Sequence, residues 1–445
     1  MNPESLQQIG ARLQGYDPRA LPVATAQAFI AALVPVVVQT ETLPIRDALG
    51  RVLAADLISP IDVPAHANSA MDGFALRGSE LLTDQPTRLR VVGTALAGRA
   101  FDGTVPPGSA VRITTGAQMP ADLDTVVPHE FTAADEPGWV RIPPGVVRSG
   151  EHHRRAGEDL ARGSPALLAG RLLRPSDLGL IASLGVPQVA VRRRLRVAFF
   201  STGDELRSLG EPLPAGCIYD SNRYTIWAML QRLGVEPIDL GVVRDRPDEL
   251  AAAFGHAATV ADAVITSGGV SVGEADHTKQ VMAELGEVLF WTIAMRPGRP
   301  MAIGRIAAAA ATNAAAAGGA AASSASRPPA ILFGLPGNPV AVMVTFYAFV
   351  RDALLRMAGA TPLPLPLLRA ASRERLRKRP GRTEYQRGVV ERDTDGRWWV
   401  RSTGAQGSGI LSSMSQANGM IVLPHAQGEV AVGDEVEVLP FDGLV

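Results

Sequence analysis

From Leu195 onward the chain repeats one pattern: a short, mainly apolar run, a break at glycine, serine or aspartate, then a longer stretch with apolar residues at helical spacing. The runs Leu195 to Phe200, Pro237 to Val243, Ala263 to Thr266 and Ala330 to Phe333 are too short for helices and, apart from Arg196 and Asp239, apolar without the alternation of half-solvated strands. They predict strands buried on both faces. Between them Asp220 or Ser221 opens a helix that Gly234 closes, Pro247 begins a second in its first turn, a third runs from Thr278 to Leu285, and a fourth runs to Arg356. Val288 to Ala294 and Met301 to Ile306 predict two further strands. Alternation of strand and helix through short links predicts an α/β domain, a central parallel sheet covered by helices on both faces.

The pattern differs elsewhere. Residues 1 to 20 are polar and are expected to be disordered or loosely attached, with a helix following at Ala24 to Leu33. Ile58 to Ala75 is studded with proline, so it predicts extended connection. From Thr87 to Ile142 short β-prone runs recur between turn signals such as Asp102-Gly103 and Pro106-Pro107-Gly108, predicting a compact β-rich domain over 58–147. A helix is expected from Pro175 to Gly185. Past the prolines of Thr361 to Pro366, the runs Thr383 to Val390, Trp398 to Arg401, Gly419 to Leu423 and Glu435 to Leu439 predict a small C-terminal β domain over 361–445. The tract 307–329 is alanine, glycine and serine with no stripe to dock, and reads as a disordered insertion within the 193–360 α/β domain.

Composition narrows the function classes. The length, 445 residues, suggests about three domains. The formal net charge of -1 argues against nucleic acid or an anionic membrane as partner, so any anion site is local. A single cysteine, Cys217, excludes an internal disulfide framework and a multi-cysteine zinc site. Neither a secretory leader pattern nor an apolar stretch of membrane-spanning length is present, so the expected location is cytoplasmic. Arginines crowd Arg369 to Arg387, and the expectation for them is a solvated face.

The candidate chemistry lies where predicted strands end. Ala263 to Thr266 stops at Ser267-Gly268-Gly269, whose glycines let backbone approach a ligand, and Ser271, Glu274 and Asp276 follow before the next helix. Carboxylates beside an anion cradle call for a divalent cation, and Mg²⁺ is the usual one. Glu205, after Ser201-Thr202-Gly203-Asp204, and Asp245 lie likewise just past strand ends, and a parallel sheet aligns such ends on one edge. Pro336-Gly337-Asn338-Pro339 ends the last strand in the same crevice. Outside the sheet, Asp72 beside Gly73 could be a site carboxylate but by itself reads first as a turn-former, and the hydroxyls of Thr114 and Thr115 read equally as oxyanion contacts or turn caps. Gly269-Val-Ser-Val-Gly273 also fits a nucleophile elbow with Ser271, but no helix follows it directly and the far-downstream His425 lies in the C-terminal β domain.

Asn68-Ser-Ala-Met-Asp-Gly-Phe-Ala75, Ile113-Thr-Thr-Gly-Ala117, Phe200-Ser-Thr-Gly-Asp-Glu-Leu206, Thr266-Ser-Gly-Gly-Val-Ser-Val-Gly-Glu-Ala-Asp-His-Thr278 and Gly334-Leu-Pro-Gly-Asn-Pro-Val340 together resemble the molybdopterin molybdenumtransferases, the MoeA and gephyrin E-domain family. The resemblance runs in order from about residue 25 to the C-terminus. It implies the last step of molybdenum cofactor biosynthesis: hydrolysis of adenylylated molybdopterin and insertion of molybdenum from molybdate, with release of AMP and dependence on Mg²⁺. It further implies an elongated homodimer, with 1–57 and 148–192 as the linking and dimerisation domain and an active site shared across protomers. By position, Glu205, Asp245 and Asp276 would serve the metal, Asp72 and Thr115 would come from the partner, and Asp159 from the adjoining loop. Thr202, Gly203, Ser267, Gly268, Gly269, Ser271, Pro336, Gly337, Asn338 and Pro339 would form the binding pocket. The chain departs from the family in Arg296-Pro-Gly-Arg-Pro300, where lysines are usual, and in Phe74, where tyrosine is; Arg296 and Arg299 keep the charge for an oxyanion. Protein partners implied are a molybdopterin adenylyltransferase and molybdoenzyme delivery proteins. The alternatives on a similar fold are a non-catalytic molybdopterin-binding scaffold and the adenylyltransferase itself.

Overall fold

The computed structural model describes residues 4–133, 135–270, 276–307 and 328–441, apart from the side chain of Asp276. The chain divides into two compact units, one of Met1–Glu41, Gly50–Val52 and Val191–Val445, the other of Thr42–Leu49 and Leu53–Ala190. The expected insertion and Ser271 fall outside the described residues, save for the ends of the former.

The first unit opens on helix α1 (Leu6–Arg12), where disorder is expected from the polar composition. Ser5 and Gln8 close a reciprocal capping box at its start, and Leu6 and Ile9 are fully buried in the unit's main core. Leu6, Ile9 and Leu13 recur at helical spacing, and that stripe docks the segment despite its polar remainder. Helix α2 (Val23–Leu33) buries Phe29 and Ile30 in the same core. Residues 4–41 thus pack within the compact unit that holds the α/β sequence.

The α/β sequence then runs β1 (Arg196–Thr202), α3 (Asn222–Arg232), β2 (Glu236–Val243), α4 (Pro247–Val260), β3 (Ala263–Ser267), α5 (Asp276–Leu285), β4 (Gly286–Thr292), β5 (Pro300–Ile306), β6 (Ala330–Leu335), α6 (Pro339–Thr345) and α7 (Arg351–Met357). A π-helical turn, Phe346–Val350, joins the last two. In space the strand order is β2-β1-β3-β6-β5-β4. The first four are mutually parallel, but β5 is antiparallel to both neighbours, so the sheet is mixed where a parallel one is expected. The reason is reach: a parallel return needs a crossover of a dozen or more residues, and the link from β4 to β5 is far shorter.

Alternate residues of the strands feed two cores. Val197, Phe199, Ile265 and Phe333 join Ile226 and Leu230 of α3 and Val340 of α6. Ala198, Phe200, Val264 and Leu332 join Leu250 and Phe254 of α4 and Met282 of α5. The unit ends in five strands, β7 (Leu368–Ser372), β8 (Thr383–Arg392), β9 (Trp398–Ser402), β10 (Gly419–Leu423) and β11 (Glu435–Pro440), with α8 (Ser412–Gln416) between β9 and β10. The order β8-β9-β7-β11-β10 closes through a β8–β10 pairing into a small barrel.

The second unit centres on a five-stranded sheet ordered Thr125–Pro128, Gly73–Leu76, Ser109–Ile113, Thr87–Ala95, Trp139–Ile142. Gly73 is obligatory there, since a Cβ would stand 1.9 Å from the carbonyl oxygen of Val127. No helix among the described residues is long and apolar enough to cross a membrane.

Candidate active site

The carboxyl ends of β1, β2, β3 and β6 lie on one edge because those strands are parallel neighbours. A cavity of about 1210 Å³ opens there, lined by Thr202, Gly203 and Glu205 after β1, Asp245 after β2, Ser267 to Val270 after β3, and Pro336 to Pro339 after β6.

The glycines are what let these loops close on one another. Gly268 has φ +100°, and a Cβ there would meet the Thr202 carbonyl oxygen at 2.5 Å; Gly269 has φ +67°, and its Cβ would meet the Thr278 side chain at 2.6 Å. At Gly203 a Cβ would lie 2.5 Å from a Glu205 carboxylate oxygen, so the acid folds back over bare backbone. Asn222 clamps two strand ends: its Nδ2 donates to Ser267 Oγ at 2.8 Å and to the Gly337 carbonyl at 2.6 Å. Thr278 Oγ1 donates to Asp245 Oδ1 at 3.0 Å, which fixes that carboxylate. Buried Asn222 Oδ1 and Thr202 Oγ1 have no hydrogen-bond partner within the described protein, leaving acceptors at the cavity wall unclaimed.

Arg296 and Arg299, from the link between β4 and β5, line the same cavity and are exposed. Neither pairs with a carboxylate among the described residues. Of the three carboxylates expected to hold a metal, Glu205 and Asp245 share this cavity, while the side chain of Asp276 lies outside the described residues; its backbone begins α5. Among the described residues no three His, Cys, Asp or Glu side chains cluster as a metal centre.

Asp72, Thr115 and Asp159 belong to the second unit. Asp72 and Thr115 are in direct contact: Asp72 Oδ1 accepts from the Thr115 amide at 2.6 Å and from its hydroxyl at 2.8 Å. The amide and then the hydroxyl hold the Asp72 carboxyl below the ordinary carboxylate range, with His129 adding a smaller push the same way. Asp159 is exposed, its amide donating to the Val63 carbonyl.

Two groups escape the sequence reading. Ile218 to Asn222, read only as a helix cap, contributes cavity wall. So does Gln406 to Gly409 of the C-terminal barrel. The signal for the latter is Gly407-Ser-Gly409, a glycine-flanked polar turn between two strands. Its distance in sequence hides it. The Ser408 carbonyl accepts from the Val340 amide at 3.1 Å, so the barrel's loop caps the start of α6. Arg387 corrects the expectation of a solvated arginine face: it is only 1% exposed. Its guanidinium donates to Ser413 Oγ and to the carbonyls of Ala405, Gln406 and Gly407, the backbone behind that wall.

The comparisons agree with this architecture along its length. Three family models match: "MoeA N-terminal region (domain I and II)" over residues 21–185, "Probable molybdopterin binding domain" over 198–356, and "MoeA C-terminal region (domain IV)" over 369–441. A molybdopterin molybdenumtransferase of Haemophilus influenzae is 40% identical over 412 residues, 92% of this chain and 96% of that protein. One from a Nostoc species is 36% identical, covering 90% of this chain and 88% of its own. The crystal structure of a molybdopterin biosynthesis moeA protein from Pyrococcus horikoshii OT3 superposes with a TM-score of 0.77 at 25% identity, covering 95% of this chain and 100% of that one.

Proposed function

The chain belongs to the MoeA family of molybdopterin molybdenumtransferases, and on that premise we propose that it inserts molybdenum from molybdate into adenylylated molybdopterin with release of AMP. The observation that carries the reading is a cavity in which two carboxylates, a glycine turn and two guanidinium groups that pair with no carboxylate among the described residues meet at the end of parallel strands. Breaking a phosphoanhydride chiefly requires charge neutralisation and positioning, and both are available in such a cavity.

Glu205 and Asp245 fit a magnesium ion, because Mg²⁺ is ordinarily held by one or two carboxylates while substrate phosphates complete its shell; Asp276 would be the third acid. Bound there, the ion would neutralise the pyrophosphate and polarise the bond that breaks. Thr278 keeps Asp245 turned for that task through its hydroxyl bond. Gly203, Gly268 and Gly269 let the loops that would hold the phosphates close on one another, with the hydroxyls of Thr202, Ser267 and Ser271 as hydrogen-bonding groups. Arg296 and Arg299 attract molybdate, and Pro336, Gly337, Asn338 and Pro339 shape the pocket. Asp72, ionised and held by Thr115, would enter from the partner protomer of a homodimer, and Asp159 from its adjoining loop. In this reading the enzyme is cytoplasmic, takes its substrate from a molybdopterin adenylyltransferase and passes its product to molybdoenzyme delivery proteins.

Incubating the purified protein with adenylylated molybdopterin, Mg²⁺ and molybdate and measuring AMP tests the assignment. Asp276→Asn or Asp72→Asn is expected to abolish molybdate-dependent AMP release while leaving the protein folded. Wild-type rates from either variant remove that residue from the mechanism, and no AMP from the unaltered chain removes the function.

A further inference from the structure

The walls of the cavity differ from one end to the other. On the side of β1 and β2, Leu206, Ile218 and Tyr219 bring apolar and aromatic surface. Leu206–Arg207 and Ile218–Tyr219 pair as a short parallel ladder, Leu206 opposite Ile218 and Arg207 opposite Tyr219, immediately after Glu205. Ile218 is 57% exposed and Tyr219 44% exposed although both line the cavity. Single exposed apolar side chains need no explanation. Successive strand side chains face opposite ways, so it is the exposed Tyr219 ring at the cavity mouth that offers a surface suited to a flat ring. The Tyr219 hydroxyl donates to the Glu211 carbonyl at 3.1 Å, so the ring is tethered at its tip as well as through its backbone. A tethered tyrosine supplies contact area at little further cost in conformational entropy.

The proposed substrate is linear, with adenosine at one end, a pyrophosphate in the middle and the pterin dithiolene at the other. Along the strand order, Glu205 and Asp245 follow β1 and β2, while Arg296 and Arg299 lead into β5, beyond β3 and β6. Molybdate is an anion and must reach the dithiolene, so the pterin end belongs on the arginine side. With the pyrophosphate at the carboxylates, the adenosine end is left facing the Tyr219 ladder.

We propose that Tyr219 is the stacking platform for the adenine ring of the adenylylated substrate and of the released AMP. This rests on the proposed function and adds the orientation of the substrate to it.

Titration calorimetry of AMP into the full-length protein, with inorganic pyrophosphate and unadenylylated molybdopterin as separate probes, tests it. Tyr219→Ala is expected to weaken AMP about tenfold, as loss of one base–aromatic stack does. Tyr219→Phe, which keeps the ring, is expected to bind AMP within about threefold of the unaltered chain. Binding of pyrophosphate is expected to stay the same in all three proteins. The adenine H2 and H8 proton resonances should shift upfield on binding to the unaltered and phenylalanine proteins and not to the alanine variant, a signature that general loosening of the loop does not produce. Unchanged AMP affinity in Tyr219→Ala overturns the proposal. Weakened molybdopterin with unchanged AMP reverses the orientation and overturns it too. If the unaltered chain binds molybdopterin but not AMP, the platform fails alone; if it binds neither, the functional reading fails with it.

Discussion

Asp72 illustrates how a short-range contact sets a charge. One carboxylate oxygen receives both the amide and the hydroxyl of Thr115, and each favours the ionised form. Thr115→Val removes the hydroxyl donor and keeps the amide, so the Asp72 pKa is expected to rise towards the ordinary carboxylate value of about 3.9. The carboxyl carbon resonance followed by NMR from pH 2 to pH 6, a range of roughly two units on either side of that value, checks this; an unmoved midpoint would leave the amide as the sole cause. Because the shift is downward, both proteins carry the charge at neutral pH, and only acid separates them. The sequence leaves Asp72 open between site and turn because its partner is 43 positions away. Arg387 is harder still to read, since a run dense in arginine says nothing about which side chain turns inward.

At the scale of elements, strand ends and glycine turns do most to shape the cavity. Gly268→Ala forces a side chain to within 2.5 Å of the Thr202 carbonyl at φ +100°. The expected cost is roughly 2 kcal/mol of stability, from backbone strain at a residue that glycine alone tolerates well, measurable as a lower urea midpoint with an unchanged slope. A midpoint equal to that of the unaltered chain would mean that the loops relax apart without penalty. The strands β1, β2, β3 and β6 and the helices α3 and α4 are legible because short, mainly apolar runs and helical stripes are local signals. The direction of β5 is legible too, from the short link before it, but only when connection length is weighed against the alternation of elements. Helix α1 shows the reverse failure. Average polarity conceals a stripe of Leu6, Ile9 and Leu13 whose partners lie in the α/β unit.

At the scale of the whole molecule, the convergence of Glu205 and Asp245 follows from one rule, that parallel neighbours end on the same edge. The contribution of the C-terminal barrel follows from no such rule. It depends on docking contacts between residues far apart in sequence, which leave no periodic trace. Arg387→Met is expected to leave three loop carbonyls without their donor and to cost roughly 3 kcal/mol. Faster amide hydrogen exchange over 405–411, with protection retained in β1 and β3, is the outcome that would mark a loosened wall; uniform loss of protection would instead make Arg387 a determinant of the entire unit.

Gln406 to Gly409 emerge late in translation, long after the acids of the strand ends. Until they are in place, that side of the cavity around Glu205 and Asp245 is unbuilt. Without the barrel the cavity would lack that wall, and the α6 amide of Val340 would lose its Ser408 partner. Closing the cavity therefore waits on a barrel built from residues that follow the sheet in the chain.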